Sequence, residues 1–112
     1  MKVETRMVDD VLVVDLIGRL DSYTSGDAGD RIVHIAQGEH RRVLLNLDKL
    51  EFLTSAGLRV ILRGAKLLQG NRGELKICNA KREVKEVLET SGFNSLIRMY
   101  DTEKEAYSAF SA

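Results

Sequence analysis

The chain is expected to fold as one α/β domain spanning residues 1–112. Its mixed sheet should have four or five strands, mostly parallel in the core, covered by about four helices. Three observations predict this. Runs at 11–20, 42–48 and 74–78 are rich in β-branched and leucine residues and read as strands, the second as a buried central one. Helical patterns separate them, and interior strand–helix–strand crossovers imply parallel neighbours. A length of 112 residues with 44% hydrophobic content suits a single core.

Taken in order, Met1 to Asp9 sets Val3, Thr5 and Met7 on one side of a first strand. Asp9-Asp10 reads as a turn, so Val11 to Leu20 should return as the second arm of an antiparallel hairpin, ending near Gly18. Thr24 is a candidate N-cap for a helix reaching Gln37, with Ala28, Ile32, Ile35 and Ala36 inward. Gly38-Glu39-His40 ends it, and Arg42 to Asp48 forms the central strand. The clearest helix runs from about Ala56 to Gln69. Leu58, Ile61, Leu62, Ala65 and Leu68 share one face, and Arg59, Arg63 and Lys66 the other. Gly70 to Gly73 is the exit turn, and Glu74 to Cys78 a further strand. Asn79 is a candidate cap for a helix over Lys81 to Thr90, broken by Gly92. A weak strand is expected near Ser95 to Met99. Thr102 with Glu105 then makes a capping-box signature for a last helix carrying Ala106, Tyr107 and Phe110.

Bulk properties narrow the function classes. Seventeen basic residues balance seventeen acidic ones, so no global field draws the chain to nucleic acid or to acidic membranes. The lone Cys78 forbids an internal disulfide and fits a reducing compartment. No stretch approaches the roughly 20 apolar residues of a membrane span, and the first residues lack a signal-peptide core. A soluble, cytoplasmic protein is therefore expected.

The informative stretch is Asn46-Leu47-Asp48-Lys49-Leu50-Glu51-Phe52-Leu53-Thr54-Ser55-Ala56-Gly57-Leu58-Arg59-Val60. A buried strand ends, a loop presents Phe52 and Leu53, and a helix starts at a hydroxyl pair followed by glycine. Unsatisfied amides at a helix start attract anions and hold nearby side chains in place. A serine there can serve as a cap or as a reachable phosphoacceptor.

With Gly18-Arg19-Leu20-Asp21 after the second strand, this stretch resembles the sulfate-transporter and anti-sigma-factor-antagonist (STAS) domain in its free-standing bacterial form, the anti-anti-sigma factors. The resemblance covers essentially the whole chain. It implies that Ser55 is the serine phosphorylated by a partner kinase. Thr54, where many members carry aspartate, competes as a phosphoacceptor. Asn46 and Asp48 stand where many members have aspartate and serine, Ala56 replaces a second small hydroxyl residue, and Gly57 matches the small residue of the first helical turn.

The resemblance further implies an anti-sigma factor with serine/threonine kinase activity as partner. It binds the unphosphorylated antagonist and releases its sigma factor, until phosphorylation breaks the complex and a PP2C-like, metal-dependent serine phosphatase restores it. The expected binding face comprises Asp21, Ser22, Tyr23 and Thr24, then Asp48 and Phe52 to Gly57 including Leu53 and Ala56, and the outer side of the next helix with Arg59, Val60, Arg63 and Leu67. Val60, Gly64 and Leu67 form a stripe on that helix which reads equally as the border of the core. Self-association through an exposed strand or helix face stays open.

Two other classes remain open to the sequence. A small serine-dependent hydrolase would place Ser55 at a strand-to-helix elbow, but position 53 is leucine where that elbow has glycine. A nucleophile also needs a base, and nothing in the sequence directs His34 or His40 towards Ser55. A constitutive protein- or ligand-binding module without a phosphoswitch is the other. Gly70 to Gly73 lacks the lysine and hydroxyl of a phosphate loop. No metal or cofactor is implied, since the histidines and Cys78 make no ligand constellation.

Overall fold

The computed structural model describes residues 1–110. Its strands are β1 (Lys2–Val8), β2 (Val11–Leu20), β3 (Arg42–Asn46), β4 (Leu50–Leu53), β5 (Glu74–Cys78) and β6 (Met99–Tyr100). The helices are α1 (Ser25–Ala36), α2 (Ser55–Gly70), α3 (Arg82–Thr90) and α4 (Glu103–Phe110). The strands lie in the order β1-β2-β3-β5-β6, with β4 paired to β2 off this path. Only β1 runs antiparallel; every other pairing is parallel. None of the described helices is long and apolar enough to cross a membrane.

Side-chain alternation along the strands divides the core between the two sheet faces. Leu12, Val14, Leu16, Val43, Leu45 and Ile77 face α1, α2 and α3 and form the larger cluster. Val11, Val13, Leu44 and Cys78 face the other way, under Ala106 and Phe110 of α4. Lys76 belongs to this second face and is 5% exposed. Its ammonium lies 5.5 Å and 5.2 Å from the centres of the Tyr100 and Phe110 rings and bonds to Glu74 at 3.1 Å.

The sheet has six strands where four or five were expected. The addition is β4, read in the sequence as plain loop. It qualifies as a strand because β2 outlasts β3: β2 pairs with β3 from Leu12 to Asp15 and with β4 from Gly18 to Leu20. The register shifts between Gly18 and Arg19, and Gly18 adopts φ +107, a conformation that side-chain-bearing residues rarely take. Two further expectations moved. The last strand sits at Met99–Tyr100, after a 3-10 turn over Phe93–Ser95. Asn79 takes φ 58 and bonds to Asn46 instead of capping α3. Thr5 and Met7 share the face of buried Val3, as expected, and are exposed because β1 lies at the sheet edge.

A polar network ties the α4 face to the end of β3. Arg6 donates to Asp15 at 3.0 Å and to Glu103 of α4 at 2.9 Å. Asn46 donates to Asp15 at 2.8 Å and accepts from Asn79 at 3.0 Å. Burial opposes ionisation of Asp15, but the hydrogen bonds from Arg6 and Asn46 outweigh it and hold the carboxyl below its usual range. A depressed folded value contributes stability above the unfolded value near 3.9, and that contribution is lost as pH falls through the folded one. Asp15→Asn should therefore unfold at lower denaturant than the parent chain at pH 5–8. The gap should narrow below about pH 4, as read from paired urea titrations.

Candidate functional site

The site grows from the point where β2 passes from β3 to β4. After Asn46, the chain turns through Leu47, whose carbonyl accepts from Leu50 N at 3.1 Å. Lys49 O accepts from Gly18 N at 2.9 Å, which brings the 47–50 turn against the bulge in β2. The half-buried Asn46 clamps the start of this turn, its Oδ1 taking the Asp48 amide at 3.3 Å. Leu50 and Leu53 are buried, whereas Glu51 and Phe52 face outward. At the end of β4, Thr54 N donates to Leu20 O at 3.1 Å, and α2 starts at Ser55.

Gly57 explains how close α2 can come. A Cβ at this position would lie 2.6 Å from the Leu20 carbonyl oxygen and 2.9 Å from Leu53 Cδ1. The first turn of α2 therefore rests directly on the backbone of β2, and glycine is the residue that fits. This contact fixes the orientation of Thr54 and Ser55. They end up in opposite environments. Ser55 is exposed. Thr54 Oγ1 is buried without a hydrogen-bond partner and does not cap the helix.

The neighbouring loop is equally fixed. Asp21 Oδ1 accepts from Tyr23 N at 2.9 Å and Thr24 N at 3.2 Å. Thr24 Oγ1 donates to Arg19 O at 2.8 Å and accepts from Asp21 N at 3.0 Å, so this hydroxyl braces the loop and does not cap α1. Ser22 is exposed, and Tyr23 stands out at 95% exposure. Arg19 bridges the two loops: its guanidinium lies 4.2 Å from the centre of the Phe52 ring and 3.8 Å from Asp21 Oδ2.

The structure thus brings Asp21 to Thr24, Phe52 and Ser55 onto one end of the sheet, beside exposed Asp48. Ala56 is half-buried, and Leu53 points into the core. Arg59 and Arg63 extend the surface along α2, where with Lys66 they rim a shallow hollow of about 360 Å³ floored by Leu62 and Leu67. Val60 packs towards α1: a Cβ on Gly29 would lie 3.3 Å from its Cγ2. Gly64 faces Ile32 in the same helix–helix contact. The sequence marks Arg19 and Asn46 only through the family resemblance and Asn79 only as a helix cap; their contacts around this site are tertiary. The sign of a special role at Asn79 is its left-handed backbone, which a sequence does not display.

The rest of the chemistry is sparse. His34 lies in the last turn of α1, and His40 precedes the start of β3, whereas Ser55 follows the carboxyl end of β4. Neither histidine hydrogen-bonds to Ser55. Burial pushes the Cys78 thiol up to about 12, so it is a poor nucleophile. Among the described residues, no group of three or more His, Cys, Asp or Glu could hold a metal ion.

Comparison with known proteins agrees with this architecture. A family model described as the STAS domain matches residues 2–106. The candidate anti-sigma factor antagonist BtrV of Bordetella bronchiseptica is 36% identical over 110 residues, covering 98% of this chain and 95% of its own. The anti-sigma F factor antagonist of Paenibacillus polymyxa is 36% identical over 99 residues, covering 86% and 83%. Among solved structures, the Bacillus cell fate determinant SpoIIAA in its phosphorylated form superposes with a TM-score of 0.73 at 23% identity. That match covers 97% of this chain and 99% of the other.

Two substitutions test the local geometry. Thr54→Val removes a buried, unpaired hydroxyl at nearly constant shape, so thermal unfolding should show unchanged stability or a gain of up to about 1 kcal/mol. Gly57→Ala should cost about 2 kcal/mol despite the better helix propensity of alanine, because the new methyl group meets a carbonyl oxygen of β2.

Proposed function

We propose, from the premise that this chain belongs to the STAS domain family, that it is an anti-sigma factor antagonist switched by phosphorylation of Ser55. The observation that carries the reading is the contrast between adjacent hydroxyls: Ser55 is exposed at a helix start, whereas Thr54 Oγ1 is buried. The names borne by the two relatives at 36% identity support the class of partner.

In this reading the unmodified chain docks an anti-sigma factor that is also a serine/threonine kinase, working inside the cell. Tyr23 and Phe52 supply the apolar contacts. Asp21, Ser22, Thr24, Asp48 and the start of α2 surround them, and Arg59 and Arg63 extend the face. The kinase transfers a phosphoryl group to Ser55 Oγ, and a PP2C-like phosphatase removes it by hydrolysis.

The phosphate adds roughly −1.5 to −2 charge near neutral pH. Within the domain that charge is well placed, because the first-turn amides of α2 present positive ends and Arg59 stands one turn further along. At the interface the same charge adds bulk, repulsion and a desolvation penalty. Phosphorylation therefore ends binding without unfolding the antagonist. Phosphorylated SpoIIAA, which retains the same fold, is an example of such tolerance.

Peptide mass spectrometry of the chain recovered from its native cells, with and without phosphatase treatment, tests the reading. The expected result is a phosphatase-sensitive phosphate on Ser55 and none on Thr54. Phosphate on Thr54 would refute the site assignment. Its absence from both residues across growth and stress conditions would favour a constitutive binding module.

A further inference from the structure

β1 forms one edge of the sheet, and its outer backbone groups have no neighbouring strand. The other end of the sheet, β6, is two residues long, whereas β1 has seven. A long open edge is a template for pairing with another chain, and proteins usually blunt such edges with charge. The charges on β1 do more than blunt it.

We propose that β1 recognises itself: two copies of the chain pair antiparallel along their β1 edges about a two-fold axis at Thr5. In that register Glu4 of each copy lies opposite Arg6 of the other, Val3 opposite Met7, and Thr5 opposite Thr5. Opposed residues share a sheet face, so Glu4 meets Arg6 on the α4 side and Met7 meets Val3 on the other. Glu4 is exposed and makes no ion pair with another described residue, while Met7 is 50% exposed. Arg6 is part-exposed and keeps its bonds to Asp15 and Glu103.

The alternatives are penalised by the same residues. Sliding by one cross-strand step in either direction sets Glu4 against Glu4 or Arg6 against Arg6. A parallel, in-register pair stacks every charge on its own copy. Half-step slides put Val3 against Arg6 or Met7 against Lys2, or oppose Thr5 to Glu4 or Arg6, and they reverse one sheet relative to the other. A slide of two steps about Val3 opposes Lys2 to Glu4 but pairs only the first residues of β1, so the register about Thr5 is the one that joins the whole strand with matched charges, and it leaves no free β1 edge for further growth. β4 continues along the flank of β2 that also carries β3, opposite β1, so both copies keep the 48–55 segment accessible. The pairing is independent of the phosphoswitch.

Sedimentation equilibrium of the unmodified chain, together with two cysteine variants, provides the test. Cys78 is buried, so an introduced thiol would be the reactive one. The weight-average mass should rise from monomer towards dimer with concentration. Under mild oxidation Thr5→Cys should cross-link at least tenfold faster than Met7→Cys. The register holds the Met7 positions about 14 Å apart but sets the Thr5 positions directly opposite. Glu4→Arg, which sets two cations together, should weaken the dimer about tenfold. A chain that stays monomeric at several hundred micromolar would overturn the proposal, as would equal cross-linking of the two cysteine variants.

Discussion

The structure of the site depends on a single backbone event, the transfer of β2 from β3 to β4 at Gly18. The bulge there, with φ +107, lets the last residues of β2 pair with Leu50 to Leu53. The carbonyl of Leu20 then receives the Thr54 amide, and the Cβ-free face of Gly57 rests on the same oxygen. A helix start is thereby held by strand hydrogen bonds, although the connecting segment is otherwise a surface loop. The hydroxyl of Ser55 is presented from a preformed position, so binding need not order it first.

Two supports flank this event. The Arg6–Asp15–Asn46–Asn79 network fixes the exit from β3 on one side, and the Asp21–Thr24 bonds fix the 21–24 loop on the other. Arg19 joins the second support to β4 through the Phe52 ring. The exposed Tyr23 and Phe52 therefore project from braced backbone, as anchors in an interface require. A charge added at Ser55 enters a face that is already rigid. In the proposed switch its effect is local, on binding and not on the fold.

Much of this was legible in the residues. The apolar spacing of α2 gave its extent to within one residue at each end, and the leucine-rich run at 42–48 marked the central strand. The strand β4 was not legible. Leu50-Glu51-Phe52-Leu53 is a short run that becomes a strand only when β2 offers its free edge, and that is a tertiary fact. Thr24 shows the same limit: its hydroxyl suits a helix cap, but Arg19 O lies nearer to hand. The contrast between Thr54 and Ser55 was also invisible, because it depends on how Gly57 seats the helix. Composition did not anticipate a buried Lys76; the two rings beside its ammonium come from two distant elements.

In the proposed switch, one phosphate at Ser55 ends partner binding while the domain stays folded. The most direct measurement is calorimetric titration of the cognate anti-sigma factor with the unmodified chain and with the chain stoichiometrically phosphorylated at Ser55. Circular dichroism melting should be recorded on both forms. The expected result is at least a hundredfold loss of affinity with a melting temperature unchanged or raised. Equal affinities, or a phosphorylated chain that has lost its cooperative melt, would contradict it.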